Sequence, residues 1–405
     1  MEFNGTVLNG RKLLSESTNV NCAASETMNN SDFSHWHGVT LVINLYIPPI
    51  LITVGVLFNV CIIFVMNSPT FKTISTSYFM ITLAVNDAMS LCISLTAHWL
   101  HVNFPETIVR TQYSHIMCRF FDSYGWGNCD FAIILVAAMT ADRSYAILYP
   151  LKCHTKRTPR RLKIEIALLV LVVVAKDVHF WFVSDIVPLG RDERLCEVPV
   201  LKLTSSYRYF YEDIWPWIHI TFIGCCFVVI FVSNIVIIFS VKKSSRNKSI
   251  VNGRNSTIKE YPTGSKKYRK GSKNIRISPR SAQLRQIAVM LLCSSCVQLL
   301  LTFPFSVHIA IADKMVELTC NPNQQSINGF VFSATFYMLY SNKCVNFIIF
   351  TCSGTRFRRT WQNKLNQFIC RRKFKSLQIN HSTKNPISAL SYPTVSSEIL
   401  ESTRL

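Results

Sequence analysis

Seven long apolar runs, separated by polar stretches, constrain this chain more than any other feature of its sequence. They fall at roughly 41–66, 77–100, 117–149, 163–188, 209–241, 284–312 and 326–352. Each is long enough to cross about 30 Å of hydrocarbon at about 1.5 Å of rise per residue. Lipid offers no partner to a backbone N–H or C=O, so a single apolar span must be a helix. The expected fold is an all-α bundle of seven membrane helices. The fourth run is the most polar, with Lys176, Asp177 and Asp185, yet Ile164 to Ala175 is strongly apolar. No repeat of 20–50 residues interrupts the pattern.

The charge pattern sets the orientation. The 405-residue chain carries a net charge of +21, which in a soluble protein would suggest nucleic acid. Here the bases sit in alternate connections: Lys152 to Lys163 after the third run, Lys242 to Arg285 after the fifth, and Arg356 to Lys375 after the seventh. By the positive-inside rule these face the cytoplasm, which puts the N-terminus outside and the C-terminus inside. The basic loops are expected to meet anionic lipid and cytoplasmic proteins, not nucleic acid. The expected organisation is an extracellular segment (1–40), a seven-span domain (41–352) and a cytoplasmic tail (353–405) with an amphipathic helix and an unstructured Ser/Thr-rich end. Residues 243–283 read as a polar loop without apolar periodicity. No signal peptide is evident, so the first span serves as the insertion signal. Asn4 and Asn29 open glycosylation sequons on the outer side; Asn247, Asn255 and Asn380 match too, but on the cytoplasmic side.

The third run holds the most specific motif. Cys118 stands at its outer end and Asp142-Arg143-Ser144 at its inner end, separated by one membrane crossing of about 37 Å. This resembles the rhodopsin-like receptor family, in which a Cys opens the third helix and Asp-Arg-Tyr closes it. Other marks follow in order: Asn59, Asn86-Asp87, Cys196, Pro304, Asn346-Phe347-Ile348-Ile349-Phe350 in place of Asn-Pro-x-x-Tyr, and Gly354-Thr355-Arg356-Phe357-Arg358-Arg359. The resemblance covers roughly residues 41–370. Within the family, Val345 to Phe350 running into Gly354 to Arg358 resembles invertebrate FMRFamide and myosuppressin peptide receptors. Several switch residues depart from the family pattern. Ser144 replaces Tyr, Leu301-Thr302-Phe303-Pro304 lacks the Trp of the sixth helix, and Phe350 replaces the seventh-helix Tyr. Leu284 stands where an acid would lock Arg143, leaving Asp142 as its expected partner.

The resemblance implies roles for particular residues. Asp142, Arg143, Asp87, Lys343, Asn346 and Phe350 belong to G-protein coupling and the switch. Sodium sits beside the second-helix Asp in this family, which is Asp87 here. Lys343 stands one turn before Asn346, and Ala132 replaces an oxygen donor, so an internal ion pair is expected instead of sodium. Cys118 and Cys196 are either two thiols or a disulfide; both lie at the outer, oxidising surface, which favours the bond.

Charges within a membrane are costly and by default functional. Asp122 and Asp130 on the third run, with Glu212 and Asp213 at the mouth of the fifth, are candidate ligand contacts. The alternatives are internal pairing, such as Asp130 with Lys176, and a solvated rim. Trp99 and Trp126 are candidate pocket aromatics, the alternative being an interface belt. No metal site, phosphate loop or cofactor motif occurs, and no enzymatic activity is expected. The expected function is ligand-activated signalling to a heterotrimeric G protein, with a short amidated neuropeptide outside. A receptor kinase and arrestin are expected at the tail, and a PDZ domain at Thr403-Arg404-Leu405. The alternatives are a chemosensory receptor for a small molecule or, in another class, a transporter or channel. An odd span count and a long basic loop oppose the last.

Overall fold

The computed structural model describes residues 30–72, 74–104, 114–149, 158–188, 194–199, 203–256, 292–308 and 322–384. The chain divides into two compact units, 1–358 and 359–405. Asn4 and Asn29, and Thr403 to Leu405, lie outside the described residues.

The first long helix is α1 (Asn30–Met66), followed by a turn of helix α2 (Pro69–Lys72). The second span is α3 (Ser75–Ser90), a π-helical turn (Leu91–Leu95) and α4 (Thr96–Asn103). The third is α5 (His115–Leu148), capped by the Ser114 hydroxyl, which accepts from the Met117 N–H. The fourth is α6 (Pro159–Asp177), with Thr158 as its cap and Pro159 at its first position, continued by α7 (His179–Val183). This is a standard way to start a helix, since proline has no N–H to leave unpaired. A hairpin follows, β1 (Asp185–Pro188) antiparallel to β2 (Arg194–Glu197), with Ile186 opposite Cys196. The fifth span is α8 (Ser205–Tyr209), a second π turn (Phe210–Ile214) and α9 (Trp215–Ser256). Then come α10 (Leu292–His308), α11 (Pro322–Ser353) and α12 (Thr355–Lys384).

Among the described residues, five of these stretches are long and apolar enough to cross a membrane, and α10 is a shorter apolar helix. The seventh, α11, is 32 residues long but less apolar, because it carries Ser341, Asn342, Lys343 and Asn346. The bundle has the seven-helix architecture expected of the chain. Its polarity is arranged for lipid: Leu171, Phe182, Trp217 and Phe239 are exposed, while Asn59, Asp87, Asn128, Asp130, Lys343 and Asn346 are buried. Polar groups therefore point inward, where they can pair with one another.

The first helix packs chiefly on the last of the seven, α11. Gly55 permits this approach: a Cβ there would fall 2.5 Å from Cys344 Sγ and 2.5 Å from Leu91 Cδ1. Small residues at such crossings let helix backbones come close in membranes. Around the contact lies a core of Leu91, Leu95, Phe332, Phe336, Tyr340 and Cys344.

Three boundaries differ from the sequence expectation. The fourth span ends at Val183, and Asp185 to Pro188 form strand β1 instead of helix. Apolar residues resume at Ile186-Val187-Pro188-Leu189 directly after Ser184-Asp185, so hydropathy carries the run past the turn. Residues 243–256, expected as loop, continue α9, and 376–384, expected as unstructured tail, continue α12. Neither extension is apolar, and α12 has no Gly or Pro before Pro386, where a helix is disfavoured at the preceding residue.

Candidate functional site

At the outer end, a disulfide joins Cys118 to Cys196 across 78 residues, tying the hairpin to the third helix. His115 pairs with Asp185 and the Arg119 Nε donates to the Ser184 carbonyl at 3.3 Å. Burial pushes the Asp185 carboxyl up, but the hydrogen bonds from His115 and from the Ile186 N–H outweigh it and hold it below its ordinary range. Asp122 accepts from the Ser184 hydroxyl, so it too fastens the third helix to the end of the fourth.

One layer deeper lies an aromatic box. Trp126 stacks on Phe180 at 5.8 Å between centroids and meets Trp215 and His219 edge-on at 5.0 Å. Beneath it, Lys176 Nζ sits 2.6 Å from Asp130 Oδ2 and 2.5 Å from Asp177 Oδ1. His219 Nδ1 is 3.5 Å from the same Asp130 oxygen. The internal pairing weighed for Asp130 is the arrangement found, and the aspartate is almost fully buried.

The other outer candidates do not converge on this box. Trp99 donates its indole N–H to the Leu45 carbonyl at 3.0 Å and therefore braces α4 against α1. Glu212 and Asp213 stand exposed on the second π turn, at the mouth of the fifth helix.

The central layer joins five helices: the first, second, third, sixth and seventh. Lys343 Nζ lies 3.6 Å from Asp87 Oδ1 and donates to Asn128 Oδ1 at 3.2 Å. Asn346 donates to Asp87 Oδ2 at 3.4 Å and accepts from the Ser294 hydroxyl at 2.8 Å. Asn128 is held in turn by Asn86 and Tyr124. Asn59 donates to the Lys343 carbonyl at 2.9 Å. Beside the pair is a cavity of about 20 Å³, bordered by Ala132, Gln298 and Asn342 and large enough for one water.

The inner layer holds the third helix closed. Arg143 lies 3.9 Å from Asp142, and both are almost fully buried. Ser75 stands between them: its hydroxyl donates to Asp142 Oδ2 at 2.9 Å and accepts from Arg143 at 3.3 Å. The Thr140 and Ser295 hydroxyls, 3.2 Å apart, link the third helix to the sixth. Phe350 is buried against Phe357 at 6.0 Å, so the first turn of α12 packs where the seventh helix ends. Sequence reasoning missed Ser75, Asn128, His219 and Ser294. The only available signal was that each buried charge in lipid needs a partner.

A seven-helix bundle with such polar layers, an outer disulfide and an Arg sealed at the inner end is the architecture of a transmembrane receptor. The sequence pattern of the family described as 7 transmembrane receptor (rhodopsin family) matches residues 58–350, and the chain belongs to that family. It is similar to the alpha-1A adrenergic receptor of Oryzias latipes, 23% identical over 365 residues, covering 84% of this chain and 72% of the relative. The Homo sapiens alpha-1A adrenergic receptor is 23% identical, covering 84% and 71%, and that of Cavia porcellus 24%, covering 84% and 71%. The chain is thus a multi-pass receptor of the plasma membrane that signals through G proteins, and not an enzyme.

Proposed function

We propose that the receptor answers to a short, positively charged, amidated peptide presented from outside. The observation that carries this reading is the pair of exposed carboxylates Glu212 and Asp213 on the π turn at the mouth of the fifth helix. A peptide ending in Arg-Phe-amide has a guanidinium that bonds a carboxylate bidentately. Asp122 lies deeper on the third helix and would receive a second donor. The motif around Asn346 to Phe350, which resembles FMRFamide and myosuppressin receptors, supports the same ligand class.

On this reading the N-terminus is extracellular and the tail cytoplasmic, because the basic connections must face inward. Peptide binding favours a state in which the sixth helix leaves the third and the seventh, breaking the Thr140–Ser295 and Ser294–Asn346 contacts. Arg143 is then freed to meet the G protein. A ligand can drive this only by its differential affinity for the two states. Kinase and arrestin would act on the Ser/Thr-rich tail.

A small amine is the second reading, favoured by the names of the adrenergic relatives. It is weakened by Asp130, whose carboxylate is already matched by Lys176.

The test is a panel of Arg-Phe-amide peptides and of amines on cells expressing the receptor, read by calcium and cAMP. Peptide activation is expected, with Asp122→Ala or Asp213→Ala weakening potency by about 2–5 kcal/mol where the charge is desolvated. Activation by amines alone, or peptide potency unchanged in both variants, would overturn the proposal.

A further inference from the structure

A cavity of about 380 Å³ opens between the second, third and fourth helices. Its rim is formed by Phe120, Val170, Val174 and Trp181, all exposed apolar side chains, so it faces the bilayer. Its volume is within the range of small-molecule sites. The walls are almost wholly apolar, but the floor is not. Asp177 lines it, is 3% exposed, and its Oδ2 has no hydrogen-bond partner among the described residues. The buried Ser123 hydroxyl, also in the lining, has none either.

Gly127 creates the space above that carboxylate. A Cβ there would lie 3.9 Å from Asp177 Oδ2 and 3.7 Å from Val173 Cγ1, in ordinary contact with both. The charged groups facing Asp177 are Asp130, Lys176 and His219. Two carboxylates thus share one ammonium, and the cluster is one negative charge in excess whenever His219 is neutral. Lys176 occupies the inner oxygen, Oδ1, and leaves Oδ2 toward the cavity. An unpaired carboxylate oxygen buried at membrane depth is costly unless a donor meets it.

We propose that this cavity is a second ligand site, entered from the bilayer, for an amphipathic amine. The ammonium would bond Asp177 Oδ2 and the Ser123 hydroxyl, and the apolar tail would lie against Val170, Val173 and Trp181. The excess negative charge selects an ammonium over a neutral hydroxyl of the same shape, and a carboxylic acid is repelled. This site is separate from the extracellular peptide cavity and does not depend on the identity of the ligand there.

The experiment uses the full-length receptor in phosphatidylcholine nanodiscs with three photoreactive twelve-carbon probes that end in a primary amine, a hydroxyl or a carboxylic acid. Label on the third- and fourth-helix peptides is divided by label on the fifth-helix peptide, which corrects for partition into lipid. The ratio is expected to be about tenfold higher for the amine than for the alcohol, the worth of one charge-assisted hydrogen bond. It should fall to the alcohol's value in Asp177→Asn, and in Gly127→Leu, whose side chain fills the cavity. Equal ratios for amine and alcohol in the unaltered receptor overturn the proposal, whether or not the variants fold. An amine ratio that neither variant lowers, in receptor whose thermal unfolding is intact, overturns it as well.

Discussion

Lys343 and Asp87 face each other inside the bundle, Nζ to Oδ1 3.6 Å, each side chain only 4% exposed. The separation is that of an ion pair and not of a hydrogen bond, and Asn128 takes the ammonium's nearer contact at 3.2 Å. Removing the ammonium alone leaves a buried carboxylate with Asn346 as its hydrogen-bond donor. Lys343→Ala is therefore expected to cost about 3–5 kcal/mol, the usual penalty for orphaning a buried charge. The double change with Asp87→Asn should recover most of it. Thermal unfolding of the purified receptor measures both, and a double variant as unstable as the single one would refute the pairing.

The same pair bears on sodium. An ammonium already occupies the carboxylate's field, and the adjoining cavity holds little more than one water. The receptor should show the same thermal midpoint in sodium chloride and in choline chloride of equal ionic strength. A clear stabilisation by sodium, lost in Asp87→Asn, would contradict this.

Ser75 bridges Asp142 and Arg143, donating to one and accepting from the other. Ser75→Ala should loosen Arg143 and shift the resting equilibrium. A hydrogen bond worth about 1 kcal/mol changes a two-state ratio about fivefold. Ligand-free nucleotide exchange on a G protein should rise by a comparable factor while the population of the active state is small. Unaltered basal exchange would show that Ser75 does not hold the switch.

Gly55 lies where α1 meets α11, with Cys344 and Leu91 each 2.5 Å from the site of a Cβ. Neither neighbour can swing clear, because both are buried in the core. Gly55→Ala should cost about 1–3 kcal/mol, the range for overpacking. Gly224→Ala, where no atom lies within 4 Å of the added Cβ, is the matched control and should be nearly neutral in the same unfolding measurement.

The Cys118–Cys196 bond closes a loop of 78 residues. Chain-entropy reasoning gives about 4–5 kcal/mol for a loop of that length. Cys118→Ser, Cys196→Ser and the double variant should lose surface expression to the same degree, since each removes the same link. A double variant much worse than either single one would mean that the two cysteines act apart.

Hydropathy made the seven spans legible because lipid imposes one solution on an apolar run. The ends of the spans were less so. The strand at Asp185 is separated from the apolar stretch only by Ser184 and is itself mostly apolar, and the extensions of α9 and α12 are too polar for hydropathy to register. Within the bundle, the charged residues announced themselves, and the Asp130–Lys176 contact could be anticipated from cost alone. Their neutral partners could not: Ser75, Asn128 and Ser294 are ordinary residues until the helices bring them together. Trp99 shows the converse, since an aromatic near an outer end can serve a neighbouring backbone as well as a ligand.

The two π turns, Leu91–Leu95 and Phe210–Ile214, carry a consequence for how this receptor can change. Each holds one residue more than the surrounding helix needs for a turn. Rewinding the first of them as regular α-helix, with no residue removed, would rotate everything beyond it by about 100°. His98, now packed on Phe336, would then face elsewhere, and the inner half of the helix with Asp87 would not move. Rewinding the second π turn, which itself holds Glu212 and Asp213, would re-aim those two carboxylates in the same way. Winding at these two places thus sets which side chains the outer helix ends offer, and a local switch between π and α winding can alter ligand preference there while leaving the G-protein end intact.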